Sequence, residues 1–272
     1  MRLKIAQIQM KVTGNQVEDL RHMRELVHTA SRKSEFVFLP EMFCSVYDSK
    51  LFYKYKVVEG DHIYTLLEEC AREEGIYLSA GSVPEYEDGK LYNTAYVFNP
   101  QGKCIAKHRK VHLFDIDIPG KQRFMESETL CKGNDITVFG SEYGKMGLCI
   151  CFDVRFPEIG RLTALKGAKV MVVPASFNTT TGPAGWELCM RAQAMFNQIY
   201  VIATSTALNP DASYHSYGHS LVVDPWGQVI NTLDYDEDIL YTDIDLTLVE
   251  EVREQLPLLK HRRDDIYTIK EK

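Results

Sequence analysis

The chain has 272 residues, 45% of them hydrophobic and 25% charged, a globular composition that excludes intrinsic disorder and collagen-like repeats. Lys and Arg number 31 against 38 Asp and Glu, a net charge of −7, so neither nucleic acid nor an anionic membrane surface is an expected partner. No apolar run approaches the roughly 20 residues that span a bilayer, and the first nine residues lack the apolar core and small-residue cleavage site of a secretion signal.

The pattern predicts a first strand over 3–9 and an amphipathic helix over 17–32, with Leu20, Met23, Leu26, Val27 and Ala30 on one side. A buried strand over 36–39 ends at Pro40-Glu41. A helix over 64–74 stops at Gly75, before a strand over 76–80. Strands over 94–98 and 103–107 flank Asn99-Pro100-Gln101-Gly102, a hairpin turn signal.

The second half repeats this grammar. Residues 164–177 echo 30–43 at a constant offset, 199–205 echo 76–82, and 222–227 echo 97–102, in the same order. We expect one domain over 1–272, an α/β fold of two pseudo-repeated halves. Each half supplies a sheet with helices on one face, and the two sheets pack face to face. No Pro/Gly/Ser-rich linker divides them.

The seven cysteines are odd in number and follow no export signal, so free thiols in a reducing cytoplasm are expected. The Cys149/Cys151 pair lacks a matching second pair at zinc spacing, so no metal site is expected. If 149–151 is a strand, these two side chains share a face; a redox pair is the minor alternative.

The repeat breaks where chemistry would sit. The strand end that offers Glu41 in the first half offers Ala175 in the second, and a carboxylate beside Phe38, Leu39, Met42 and Phe43 suits proton transfer. Cys151 closes an apolar run before Phe152-Asp153-Val154-Arg155-Phe156-Pro157-Glu158. A sharp strand-to-helix turn there would expose its thiol beside backbone N–H groups. The residues leave its base open between a histidine (His108, His112, His215 or His219) and a Glu41–Lys110 arrangement.

Three blocks carry a resemblance: Phe38-Leu39-Pro40-Glu41, His108-Arg109-Lys110-Val111-His112-Leu113, and the run from Gly147 to Glu158. In order and spacing they resemble the signature blocks of the nitrilase (carbon–nitrogen hydrolase) superfamily. That resemblance implies a four-layer αββα sandwich, usually a homodimer, a Glu41–Lys110–Cys151 triad and no metal or organic cofactor. The blocks His112 to Lys121, Phe124 to Ser127 and Asn178 to Glu187 resemble the omega-amidase branch, which implies Glu126 as a second active-site glutamate bracing Lys110. Departures at Ser45-Val46-Tyr47 and at Cys149 to Phe152 leave a deaminated-glutathione amidase open, beside other amidases, N-carbamoyl hydrolases and a non-catalytic member. The omega-amidase reading implies a small amide bearing a carboxylate, such as 2-oxoglutaramate. Tyr47, Arg155, Asn178 and Thr181 are then candidates to bind it, with the Phe152 N–H facing the oxyanion. Arg155 could instead pair with Asp153 or Glu158.

Overall fold

The computed structural model describes residues 1–120 and 122–272; Lys121, the last residue of the His112 block, lies outside the described residues. The first half runs β1 (Arg2–Gln9), α1 (Gln16–Ser31), β2 (Phe36–Phe38), α2 (His62–Glu74), β3 (Tyr77–Glu87), β4 (Lys90–Phe98) and β5 (Cys104–Arg109). Local chemistry sets the helix ends. The Asn15 side chain caps α1 and Asp61 caps α2 by accepting from the N–H groups of Ile63 and Tyr64. Gly75 ends α2 in the left-handed region at φ 64°. In the β4–β5 turn, the Gly102 N–H donates to the Asn99 carbonyl at 2.8 Å.

A short ribbon follows, β6 (Asp115–Ile118) with β7 (Gln122–Met125). The second half then comprises β8 (Thr137–Ser141), β9 (Gly144–Leu148), α3 (Pro157–Leu165), β10 (Val170–Ala175), α4 (Gly182–Asn197), β11 (Tyr200–Ser205), β12 (Leu221–Val223) and β13 (Val229–Thr232). The strand β14 (Asp238–Asp245) and the helix α5 (Thr247–Gln255) come last.

The two sheets share one plan. The first has the order β14-β1-β2-β3-β4-β5, the second β8-β9-β10-β11-β12-β13. In both, three parallel strands continue into two antiparallel ones. Helices α1 and α2 stand to the first sheet as α3 and α4 stand to the second. The ordered echoes in the sequence are therefore a real structural repeat. Register extends the correspondence. Ile5 pairs with Phe36 and Met146 pairs with Val170, so the end of β1 matches the end of β9.

Alternation places the layers. Leu3, Ile5, Phe36 and Phe38 face the second sheet, in one cluster with Met146, Leu148, Val170 and Val172. Ala6, Ile8, Val37 and Leu39 face the other way, against Met23, Val27 and Leu67 of α1 and α2. The result is helix–sheet–sheet–helix, the expected αββα sandwich.

Three details differ from the expected elements. Strand β3 continues past Ala80 to Glu87, because a register shift between Ser79 and Ser82, with Gly81 at φ 58°, lets pairing with β4 resume. The ribbon β6–β7 has no periodic signature long enough to announce it. Residues 149–151 are not strand: β9 stops at Leu148, so Cys149 and Cys151 do not share a strand face.

Candidate active site

Glu41 follows directly on β2. The Leu39 N–H still reaches the Ser79 carbonyl at 2.9 Å, and then the chain turns sharply, with Met42 at φ 54° and its N–H on Ser82 Oγ at 3.1 Å. The turn depends on Gly81, where a Cβ would sit 2.0 Å from the Pro40 carbonyl oxygen. The side chain of Glu41 is buried. Its Oε1 takes Asn93 Nδ2 at 2.8 Å, Lys110 Nζ at 2.8 Å and the Tyr47 hydroxyl at 3.1 Å. Oε2 accepts no hydrogen bond among the described residues. One oxygen is thus pinned and the other is available as a proton acceptor.

Lys110 comes just after β5, anchored by its N–H on the Asn93 carbonyl at 2.8 Å. It is fully buried, and its Nζ also reaches Glu126 at 3.0 Å and the Tyr47 hydroxyl at 3.2 Å. Burial alone would discharge this ammonium, but the charges of Glu126 and Glu41 outweigh it and raise its pKa. It is therefore a fixed cation. Glu126, also buried, is gripped by the Tyr47 hydroxyl and the Phe114 N–H, both at 2.6 Å. Burial raises its carboxyl, with Lys110 opposing.

Cys151 occupies the sharp turn expected at the end of β9. It has φ 47° and opens a short 3₁₀ turn, Cys151–Arg155. A non-glycine residue there is strained, and such strain persists only where the surroundings hold it. Asp153 is the holder. Fully buried, it accepts from the Ile150 N–H at 3.0 Å, the His112 N–H at 2.8 Å and His112 Nδ1 at 2.9 Å, and lies 3.3 Å from His108 Nε2. It joins the cysteine turn to the segment that carries Lys110. Burial would raise its carboxyl, but the hydrogen bonds from His108 and His112 prevail and hold it well below the usual range. His112 also stacks on Phe156, with ring centroids 3.6 Å apart.

The Cys151 thiol is buried, and its pKa lies well above the ordinary value. Burial is the main cause and the Glu41 charge adds to it, while Lys110 and the Ser176 N–H oppose. The thiol is therefore neutral at pH 7 and needs a base at the moment of attack. Glu41 interacts with it directly; His108 and His112 are committed to Asp153. His219 bonds the Tyr217 carbonyl and stacks on the Tyr217 ring, and His215 is exposed.

Cys151 opens on a narrow cavity lined by four rings, Phe114, Phe152, Phe177 and Tyr214, and by Arg155, Ser176 and Thr181. Of the predicted binding residues, Phe152, Arg155 and Thr181 are there. Asn178 is outside that lining; its Oδ1 accepts from the Thr180 and Thr181 N–H groups and braces the entry to α4. Tyr47 serves the glutamate–lysine network instead. Arg155 does not pair with Asp153 or Glu158. Its guanidinium lies 4.7 Å over the Phe177 ring and has no hydrogen bond or ion pair among the described residues.

Sequence reasoning missed Asn93, Asp153 as a brace, Ser176 and Tyr214, whose hydroxyl donates to the Ser176 carbonyl at 2.6 Å. Asp153 stood inside a quoted block; the other three carried no local signal. All seven cysteines are free. Glu59, Glu85 and Glu87 cluster closely, but each already pairs with Lys107 or Arg109. Among the described residues, no helix is long and apolar enough to cross a membrane.

A model of the carbon–nitrogen hydrolase family matches residues 4–254. The omega-amidase NIT2-B of Xenopus laevis is 45% identical over 272 residues, covering 100% of this chain and 99% of its own length. The omega-amidase NIT2 of Mus musculus is 46% identical over 270 residues, covering 99% and 98%. Among solved structures, Saccharomyces cerevisiae Nit3, a member of branch 10 of the nitrilase superfamily, superposes with a TM-score of 0.89 at 39% identity, covering 96% of this chain and 97% of that one.

Proposed function

The chain belongs to the carbon–nitrogen hydrolase family and hydrolyses carbon–nitrogen bonds other than peptide bonds; from that premise we propose that it is an omega-amidase acting through Cys151. The observation that carries the residue assignment is the meeting, in one buried site, of a neutral thiol on a strained turn, a carboxylate with one unpartnered oxygen and a charged lysine. The whole-length likeness to two omega-amidases supports the substrate class.

In this reading Glu41 takes the Cys151 proton and the sulfur attacks the amide carbon. Negative charge develops on the carbonyl oxygen, facing Lys110 and the Phe152 N–H, and one such donor contributes about 2.7–4 kcal/mol in other hydrolases. Glu41 returns its proton to the nitrogen, the C–N bond breaks and ammonia leaves a thioester. Water then gives a proton to Glu41 and attacks the thioester carbon. The C–S bond breaks, the acid departs, and the thiolate recovers the proton. Glu126 and Tyr47 hold Lys110 in place throughout. Arg155, unpaired at the cavity wall, receives the carboxylate at the far end of a substrate such as 2-oxoglutaramate, while Thr181 contributes a hydroxyl.

We further propose a single domain that forms a homodimer, with Leu188, Met195 and Phe196 of α4 left exposed for a partner, and a cytoplasmic location consistent with seven free thiols. Ammonia release from 2-oxoglutaramate, set against deaminated glutathione, tests the activity. The expected result is preference for 2-oxoglutaramate and loss of turnover in Cys151→Ala; preference for deaminated glutathione overturns the substrate assignment. Sedimentation equilibrium tests the dimer.

A further inference from the structure

Arg155 is an unusual cation. A partly buried guanidinium beside carboxylates ordinarily pairs with one; this one packs against an aromatic ring, Phe177, and against a helix. That helix is α4, and the residue against the guanidinium is Gly185, inside its first turn and a half. A Cβ built on Gly185 would lie 2.8 Å from both Nη atoms of Arg155 and 3.1 Å from its Cζ. An approach below 3.0 Å forces one side to shift, and here the side that can shift is the flexible end of Arg155, so the guanidinium keeps its present position against the helix because residue 185 has no side chain. The backbone of Gly185 needs no left-handed conformation, since it is helical. Helix propensity argues against glycine at that position. What glycine supplies there is space.

Arg155 also has somewhere else to go. It lines both the Cys151 cavity and a groove of about 470 Å³ along α3 and α4, bounded by Pro157, Leu188, Cys189 and Phe196. The guanidinium is thus the partition between the reaction chamber and that groove. A methyl group at residue 185 would press on the far end of a flexible side chain, and the groove side, where Leu188 and Phe196 are the residues proposed above to meet a partner, is the direction of relief.

We infer that Gly185 is a specificity-determining positioning residue: by lacking a Cβ it seats the Arg155 guanidinium in the chamber wall, and so selects amides that carry a carboxylate. The inference rests on the reading of Arg155 as the carboxylate receptor. Gly185 touches neither the substrate nor Cys151, and acts only through Arg155.

The experiment compares the wild type, Gly185→Ala, Arg155→Ala and the double variant with two probes. The first is steady-state hydrolysis of 2-oxoglutaramate, followed by ammonia release. The second is alkylation of Cys151 by iodoacetamide, an uncharged amide, followed by mass spectrometry. In Gly185→Ala, kcat/KM for 2-oxoglutaramate is expected to fall about 10- to 100-fold, the size of a lost charge-assisted pair. The loss is expected mainly in KM, with the alkylation rate within about twofold of wild type. In the Arg155→Ala background, Gly185→Ala is expected to cost nothing further, because the group it displaces is gone. An unchanged KM in Gly185→Ala overturns the inference. So does an equal fall in both probes, which marks general damage, or a full loss in the double variant beyond Arg155→Ala, which means that Gly185 acts on something else. If the wild type turns over 2-oxoglutaramate and Arg155→Ala does so equally well, the carboxylate-receptor reading itself has failed, and the inference with it.

Discussion

Two strand ends occupy matching places in the two halves and are used in opposite ways. At the end of β1, Gln7 and Gln9 are buried ties. Gln7 Nε2 donates to the Ala203 carbonyl at 2.7 Å, Gln9 Nε2 to the carbonyls of Asp234 and Asp236 at 2.6 Å, and the chain passes on into Met10. Gln7 pairs with Phe38 and Leu148 with Val172, so Leu148 is the counterpart of Gln7 and, three residues on, Cys151 that of Met10; there the backbone is strained and held by Asp153. The ends of β2 and β10 divide the other way, with Glu41 in the first half and the buried Ala175 in the second. Each half gives one partner of the thiol–carboxylate pair and keeps a structural residue in the matching place. One frame, used twice, leaves half of its strand ends free to carry reactive groups.

That division can be broken at each of its four corners. Glu41→Gln keeps the shape and removes the base; turnover is expected to fall about 10²- to 10⁴-fold, read by ammonia release, with the thermal midpoint little changed. A variant that keeps a tenth of wild-type activity would move the base elsewhere. Asp153→Asn loosens the link between the Cys151 turn and the Lys110 segment, and about a tenfold loss in kcat is expected together with lower stability. The pH dependence has a definite sign. The native Asp153 pKa is depressed, so its contribution is fully present above the ordinary carboxyl value of about 3.9 and is lost as pH falls toward the native one. Denaturant melts of wild type and Asp153→Asn should therefore converge as pH drops below about 4.

Ala175→Glu places a carboxylate at the second half's counterpart of Glu41 without Asn93, Lys110 or Tyr47 to receive it. We expect a loss of about 3 kcal/mol or more in urea unfolding and no gain of activity. Gln7→Leu should be the mildest. It strands the Ala203 carbonyl and costs about 1–3 kcal/mol of stability, while kcat stays at the wild-type value. A drop in kcat there would mean that the β1 end is coupled to the chemistry after all.

These residues were not equally visible in the chain itself. Glu41 and Cys151 each end an apolar run, and runs are what a sequence displays, whereas Lys110 was visible only through the His108 to Leu113 block; the two-half plan was readable because helices and strands recur in order. Asn93 was not visible, because its role depends on lying beside Glu41, 52 residues away, and on the register shift that carries β3 past Ala80. Asp153 was in plain view, but its partners are 41 and 45 residues back along the chain. Arg155 looked ready to pair with an acid nearby, yet Asp153 is fully engaged by the two histidines. Gly185 reads in sequence as a poor helix residue and gains a meaning only through the guanidinium packed on it.

The pairing of β14 with β1 bears on how the molecule is made. Arg2 pairs with Asp245 and Gln9 with Asp238, so the first sheet receives its outer strand only when synthesis has passed residue 245. An emerging chain can assemble β1 to β5 and their helices, but one flank of β1 stays an unpaired strand edge while the rest of the protein is translated. Such edges invite association with neighbouring chains, and contacts this distant in sequence close slowly. During that interval the nascent protein is a natural client for a chaperone, and truncations upstream of residue 238 should be recovered as aggregates rather than as small stable domains.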